Sequence, residues 1–167
     1  MDYVSELLRI LEALWLQKVE YVLIGGAALN VHGLVRATED VDLFVAPEAE
    51  NIDRLKGALR ILWEDPHIEE ISADDLCGDY PAVRYGPPVG SIYLDILTRL
   101  GTAVRYEDLD FEEVTIGTTI VRVATPRALY RMKRDTVRPI DRADAMALRD
   151  AFDWGDDEED REDDSGG

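Results

Sequence analysis

The sequence predicts a fold of the α/β (α+β) class, in which helices flank a mixed β-sheet. Two observations indicate it: helical and strand-like segments alternate along the chain, and a predicted hairpin follows them. With 167 residues, of which 46% are hydrophobic, the chain is long enough to bury a core. We therefore expect a single domain over residues 1–152, followed by an acidic disordered tail over 153–167.

The individual elements follow from apolar periodicity and from the positions of glycine and proline. The first part of the chain is predicted to form a helix over 3–15, a strand over 21–24, a short helix over 27–32, a strand over 41–46 and a helix from Pro47 to 63. The second part is predicted to form strands over 68–71, 82–85 and 91–97, a hairpin joining 114–116 to 120–123, a helix over 126–137 and a helix from Pro139 to about 154.

Two aspartates separated by one residue interrupt the second apolar strand. Because side chains in a strand alternate between faces, Asp40 and Asp42 point to the same side, while Val41 and Leu43 point into an apolar layer. Adjacent carboxylates repel each other unless a cation lies between them, and Mg²⁺ takes oxygen ligands of this kind. The pair therefore predicts a metal site; the alternative is two surface acids on an edge strand.

A third aspartate, Asp95, lies in the predicted strand over 91–97, where a buried unpaired carboxylate would be costly. If this strand lies beside that of Asp40 and Asp42, Asp95 completes a three-carboxylate cluster. Two metal ions roughly 3.5–4 Å apart in such a cluster stabilise the attacking and leaving oxygens of an in-line displacement. The alternative is that Asp95 pairs with a nearby arginine.

Two glycines, Gly25 and Gly26, follow the first predicted strand and precede a short helix. Free N–H groups and the helix dipole at such a junction favour a bound phosphate. The alternative is a simple turn that ends the strand.

These segments and a later one resemble a known family. Gly25-Gly26-Ala27-Ala28, Arg36-Ala37-Thr38 and Asp40-Val41-Asp42 occur in the family's order, and the later stretch over 129–144 supplies a lysine and an Arg-x-x-Asp-x-x-Asp run. Over roughly residues 20–150 the chain resembles the nucleotidyltransferase superfamily with the DNA-polymerase-β-like fold. Within it, the chain is most similar to the AbiE-type toxin nucleotidyltransferases and their small relatives.

The resemblance implies an enzyme that moves a nucleoside monophosphate from an NTP to a hydroxyl and releases pyrophosphate. It implies that Asp40, Asp42 and Asp95 are catalytic and bind Mg²⁺, with two ions expected, and that Asp95 deprotonates the attacking hydroxyl. Lys133 is expected to be catalytic as a ligand of the triphosphate. The resemblance assigns nucleotide binding to a set from both motifs: Gly25, Gly26, Arg36, Thr38 and Lys133.

For several of these residues a structural role is the alternative. Arg36 has a potential salt-bridge partner in Glu39, and Lys133 has apolar neighbours along which its stem can lie. The chain also departs from the family. Gly26 stands where the superfamily often has serine, so backbone N–H groups alone would serve a phosphate there. The chain is short for an abortive-infection toxin, which leaves the acceptor open.

The distribution of charge along the chain indicates how the protein can interact with nucleic acids. The net charge is −18, and residues 153–164 hold nine acids and one arginine. We interpret this run as a solubilising tail, the alternative being a nucleic-acid mimic that engages a basic surface. An acidic body disfavours tight nonspecific binding of RNA or DNA. A basic stretch over 127–142 is either a solvated helix face or a contact for nucleotide or an RNA acceptor.

One cysteine, the lack of a signal-peptide pattern and the lack of a long apolar run favour a cytoplasmic protein without a membrane partner. The expected partners are NTP, an acceptor (RNA or tRNA, protein or small molecule) and, if the chain is the toxin of a toxin–antitoxin or abortive-infection pair, a cognate antitoxin. Two alternatives remain open. One is an inactive interaction module with this fold; the other is an aminoglycoside-type nucleotidyltransferase, whose cationic substrate suits an acidic cleft.

Overall fold

A computed structural model describes residues 2–34, 38–101, 104–134, 139–152 and 154, with the backbone alone at 133, 134 and 139–142. The helices are α1 (Tyr3–Leu16), α2 (Gly25–Val31), α3 (Ala49–Leu62), α4 (Ala73–Leu76), α5 (Pro126–Arg134) and α6 (Pro139–Ala151). The strands are β1 (Tyr21–Ile24), β2 (Asp40–Val45), β3 (Ala82–Tyr85), β4 (Tyr93–Leu97), β5 (Arg99–Leu100), β6 (Val104–Arg105), β7 (Phe111–Ile116) and β8 (Thr119–Ala124). Short 3₁₀ helices cover Pro66–Glu70 and Tyr106–Asp108.

One six-stranded sheet has the order β3-β4-β2-β1-β8-β7, and β5 pairs separately with β6. β1 is antiparallel to β2 and parallel to β8, β2 is parallel to β4, and the edge strands β3 and β7 are antiparallel to their neighbours. The predicted mixed sheet flanked by helices is thus confirmed. Because β2 lies inside the sheet, the interpretation of Asp40 and Asp42 as edge-strand acids is wrong.

The core lies between the sheet and its helices. α1 begins where Asp2 accepts a hydrogen bond from the Ser5 N–H at 2.8 Å, as an N-cap. One stripe of α1 is buried where the helix packs on α3 and β8: Leu7, Ile10, Leu11, Ala13 and Leu14. This confirms the amphipathic helix predicted from the spacing of apolar residues.

A buried asparagine joins α3 to the ends of β1 and β2. Asn51 is fully buried, and its Oδ1 accepts a hydrogen bond from the Glu20 N–H at 2.7 Å. Its Nδ2 donates to the carbonyl oxygens of Glu20 at 2.8 Å and Ala46 at 3.1 Å. Asn51 therefore satisfies backbone groups at the end of the sheet opposite to Asp40.

The strand predicted over 68–71 is wrong, because residues 68–70 belong to the 3₁₀ helix Pro66–Glu70 and Ile71 directly follows it. Asp65 accepts a hydrogen bond from the His67 N–H at 3.0 Å, and Pro66 occupies the first helical position. Both features start a helical turn. Ile68 is buried within that turn and Ile71 is buried directly after it, so two inward positions three residues apart explain the apolar pattern without a strand.

At the C-terminal end, the predicted tail over 153–167 lies outside the described residues except for Trp154. The Trp154 ring meets Tyr130 edge-on, with centroids 5.4 Å apart, and stacks on Phe152 at 5.6 Å. Trp154 therefore packs against α5. Across the described ranges, no helix combines the length and the apolar character that a membrane crossing requires.

Candidate active site

The parallel pairing of β2 with β4 brings two of the aspartates together. Its register places Asp95 opposite Asp42, and Tyr93 opposite Asp40. The intervening residues of both strands are fully buried, whereas all three aspartates are partly exposed. The carboxylates therefore share the open face of the sheet, as the two-residue periodicity of strands predicts.

A guanidinium group bridges two of these carboxylates. Arg84 on β3 lies opposite Asp95, and its Nε is 3.0 Å from Asp95 Oδ1. Its Nη2 is 3.0 Å from Asp40 Oδ2 and 3.3 Å from Asp95 Oδ2. These contacts, the hydrogen bond with Asp95 first, raise the pKa of Arg84. The arginine pairing that was the alternative for Asp95 is therefore present.

The backbone of Asp40 is held by two hydroxyl groups. The Tyr3 hydroxyl donates to the Asp40 carbonyl oxygen at 3.0 Å. Thr38 Oγ1 donates to the same carbonyl and accepts from the Asp40 N–H, both at 3.2 Å. Burial raises the pKa of Tyr3 to about 12, and the charges of Asp42 and Asp40 act in the same direction. Thr38 thus positions the strand that carries the aspartates.

The glycine pair lies directly against the site. α2 begins at Gly25, two residues before the predicted start, and Gly25 has a φ of +69°. A Cβ on Gly25 would be 1.9 Å from Asp42 Oδ2, and a Cβ on Gly26 would be 3.0 Å from Thr38 Cβ. The glycines therefore make room for Asp42 and Thr38. Asp42 lies at the N-terminus of α2, where the helix dipole favours a negative charge.

The three carboxylates have the donor chemistry that Mg²⁺ prefers. Within the described part of the chain, no three His, Cys, Asp or Glu side chains converge as a metal-binding group. Asp40 and Asp95 instead face Arg84, a positive group that stands in for a cation between them. The chemistry of the three carboxylates fits a divalent cation, and Arg84 contacts two of them.

Two predicted nucleotide-binding residues are not located by the structure. Arg36 lies outside the described residues, and so does the side chain of Lys133, whose backbone belongs to the last turn of α5. α5 does contact α2, the helix that begins at Gly25. Their roles toward NTP stay predictions.

Residues near α5 make structural contacts. His32 Nε2 donates to the Ala124 carbonyl oxygen at 2.7 Å, and His32 Nδ1 is 3.5 Å from a carboxylate oxygen of Glu112. The Arg127 guanidinium lies over the Trp154 ring, 4.4 Å from its centroid. The two contacts of His32 support a structural role for this residue rather than catalysis.

Sequence reasoning missed two contributors to the site, Arg84 and Tyr3. Arg84 lies in a strand that was predicted, but only the pairing of β3 with β4 shows that it faces Asp95. Tyr3 lies in the helix that apolar periodicity predicts over 3–15, and that pattern gives it no role at the site. A polar hydroxyl on that face was the available signal, since a buried phenol needs a hydrogen-bond partner.

Known proteins resemble this chain in sequence and in fold. The sequence matches the family model of the nucleotidyl transferase AbiEii toxin, type IV TA system, over residues 9–155. The crystal structure of ANT(2'')-Ia in complex with adenylyl-2''-tobramycin has a TM-score of 0.56 and 16% identity, covering 89% of this chain and 88% of that one. The solution structure of the antibiotic-resistance factor ANT(2'')-Ia has a TM-score of 0.50 and 18% identity, covering 89% and 90%. The comparison with curated protein sequences found no match.

The family model spans most of the chain, and the likeness to ANT(2'')-Ia concerns the fold. The chain is a nucleotidyltransferase and belongs to the AbiEii toxin family of type IV toxin–antitoxin systems.

Proposed function

We propose that this chain catalyses the Mg²⁺-dependent transfer of a nucleoside monophosphate from an NTP to an acceptor hydroxyl. The observation that carries the proposal is the register of β2 and β4, which puts Asp95 opposite Asp42, with Asp40 on the same open face. Like charges facing each other across strands are destabilising, a cost that Arg84 offsets in part by pairing with Asp40 and Asp95. Membership of a nucleotidyltransferase family supports a catalytic reason for this arrangement.

Asp40, Asp42 and Asp95 are the residues that would hold the metal, as two ions in our proposal. Bound Mg²⁺ supplies positive charge that offsets the triphosphate and the charge developing on the attacking and leaving oxygens. The N–H groups of Gly25 and Gly26, with Arg36 and Lys133, are proposed to bind the phosphates. Thr38 contributes by fixing the backbone at Asp40.

In the proposed reaction, the acceptor oxygen forms a bond to the α-phosphorus of the NTP. The bond from that phosphorus to the bridging oxygen of the β-phosphate breaks, and pyrophosphate leaves with the electron pair. Asp95 takes the proton of the attacking hydroxyl. Both oxygens of Asp95 accept hydrogen bonds from Arg84 in the structure, so Asp95 becomes an effective base only when this pairing is released.

The acceptor in this proposal is a hydroxyl of RNA or tRNA, of a protein or of a small molecule. The family description supports a toxin role and hence a cognate antitoxin as partner. We place the protein in the cytoplasm, where NTPs are available. The acidic composition argues for recognition by shape rather than for nonspecific electrostatic RNA binding.

A second candidate is an aminoglycoside-type nucleotidyltransferase. ANT(2'')-Ia, which shares the fold, was solved in complex with adenylyl-2''-tobramycin. The net charge of −18 suits a cationic acceptor of this class. An inactive module with the nucleotidyltransferase fold is the third possibility. Such a module would not require three aspartates on one face of the sheet.

The test is transfer of radiolabel from each NTP, labelled at the α-phosphate, in the presence of Mg²⁺. Total tRNA, the protein itself and a panel of aminoglycosides are offered as acceptors. We expect Asp40→Asn and Asp42→Asn each to lower transfer on the order of 10³-fold while the variants stay folded, because each removes a metal ligand.

The matched control is Asp53→Asn, which neutralises an exposed aspartate on α3 and should leave transfer unchanged. Wild-type rates in both site variants would falsify the metal assignment. Folded wild-type protein that neither binds NTP nor labels any acceptor would point to the inactive module.

A further inference from the structure

The guanidinium of Arg84 engages the atoms that a metal ion would need. It contacts both oxygens of Asp95 and one oxygen of Asp40. A guanidinium this close to the carboxylates repels a second cation that binds the same oxygens, because two positive charges a few ångströms apart interact unfavourably. The arginine and a divalent cation therefore compete for the same two aspartates.

A third residue, Tyr93, also contacts Arg84. Its Cζ lies 4.9 Å from the centroid of the Tyr93 ring, which is 47% exposed. A Cβ on Gly86 would be 3.0 Å from Tyr93 Cε1, so glycine at this position leaves room for the ring. The ring face and the carboxylates together form a cradle for the guanidinium.

The position of Arg84 also allows it to leave. Its side chain is 55% exposed, and it projects from the edge strand β3 rather than from the core. Ion pairs this exposed contribute little to folding. The structure contains a similar pair away from the site, in which Arg60 contacts both oxygens of Glu69 at 2.8 and 2.9 Å.

We propose that Arg84 is a displaceable counter-cation of the active site. It holds Asp40 and Asp95 in place in the metal-free protein, and it moves to the phosphate oxygens of the nucleotide when the metal and NTP bind together. This inference rests on the proposed function. It adds a positioning residue that couples the binding of metal to the binding of nucleotide.

The coupling follows from the chemistry of arginine. Metal alone must displace the guanidinium into water, which weakens metal binding. An NTP offers phosphate oxygens that accept paired hydrogen bonds from a guanidinium, so the displaced Arg84 gains new partners. Each ligand should therefore tighten binding of the other, and linkage makes the effect equal in both directions.

The experiment measures Mn²⁺ binding by electron paramagnetic resonance, with and without an ATP analogue whose α,β-bridge is a methylene group. We expect Arg84→Gln to bind Mn²⁺ about five- to tenfold more tightly than wild type without nucleotide, because a competing positive charge is gone. With the analogue, wild type should gain Mn²⁺ affinity and the variant should gain less. Arg84→Lys, which keeps the charge, should lie between the two.

The control is Arg60→Gln, which breaks the comparable pair with Glu69 and should leave Mn²⁺ binding unchanged. Circular dichroism establishes that each variant is folded. If Mn²⁺ binds wild type in a manner that depends on Asp42, but Arg84→Gln binds it with the same affinity and coupling, the role of Arg84 is refuted while the proposed function stands. If neither wild type nor any variant binds Mn²⁺, with or without the analogue, the proposed function and this inference both fail.

Discussion

Gly25 and Asp42 occupy one small space at the start of α2. A Cβ on Gly25 would be 1.9 Å from Asp42 Oδ2, and the residue has a φ of +69°. Glycine is therefore required here for two reasons, the left-handed backbone and the close approach of a carboxylate. The sequence predicted the glycine as part of a phosphate cradle; in the structure it also positions a proposed metal ligand.

Gly25→Ala should lower nucleotidyl transfer about 100-fold or more, since the added methyl group displaces the Asp42 carboxylate and misplaced catalytic groups are costly. The backbone strain should reduce the free energy of unfolding by about 1 kcal/mol or more. Label transfer and denaturant unfolding measure the two effects.

Gly33→Ala separates these causes, because Gly33 has a φ of +87° and open space where its Cβ would be. It should show the stability cost without the loss of transfer. Equal losses of transfer in the two variants would contradict the steric explanation.

Tyr3→Phe should destabilise the protein by about 0.5–1.5 kcal/mol near neutral pH, because it removes the hydrogen bond to the Asp40 carbonyl oxygen. Burial raises the pKa of Tyr3 from 10.0 to about 12. Since the folded-state pKa is the higher one, the stability linked to this phenol is present below pH 10 and is lost as the pH rises toward 12. The difference in unfolding free energy between wild type and variant should therefore shrink over that range.

Denaturant unfolding across the alkaline range checks this dependence. Tyr80→Phe is the control, because Tyr80 is 69% exposed, and it should match wild type throughout. A difference between Tyr3→Phe and wild type that is constant with pH would rule out a contribution from the ionisation of Tyr3.

Asn51→Ala should lower the free energy of unfolding by about 2–3 kcal/mol, because it leaves buried backbone groups of Glu20 and Ala46 without partners. Asn51 lies at the end of the sheet away from the aspartates, so transfer by the folded variant should be retained. Glu50→Ala, one residue earlier and exposed, should change stability by no more than about 0.5 kcal/mol. A similar stability for both variants would show that Asn51 does not secure the sheet.

Deletion of residues 155–167 should leave nucleotidyl transfer unchanged and reduce solubility, because this segment contributes mostly negative charge. Transfer to each acceptor and the solubility limit at neutral pH are the measurements. Altered acceptor choice or lost binding of an antitoxin would instead support the interpretation of the segment as a nucleic-acid mimic.

The local structure was largely predictable, and the exceptions have physical causes. The sequence predicts a strand over 68–71 because apolar residues such as Ile68 and Ile71 occur in strands and in short turns alike. The hydrogen bond that Asp65 accepts from the His67 N–H favours the turn. α2 begins at Gly25 rather than at Ala27, and the Asp42 carboxylate lies against Gly25, a contact between residues far apart in sequence that apolar periodicity does not reveal.

By itself, the sequence determined that Asp40 and Asp42 share a face, because the period of a strand is a local property of the backbone. It also determined the family, through motifs whose order is read directly from the chain. Only the tertiary structure decided that Asp95 lies opposite Asp42 and that Arg84 bridges Asp95 to Asp40. Strand order and register arise from packing between segments far apart in sequence, and a shift of one residue would turn these side chains to the other face.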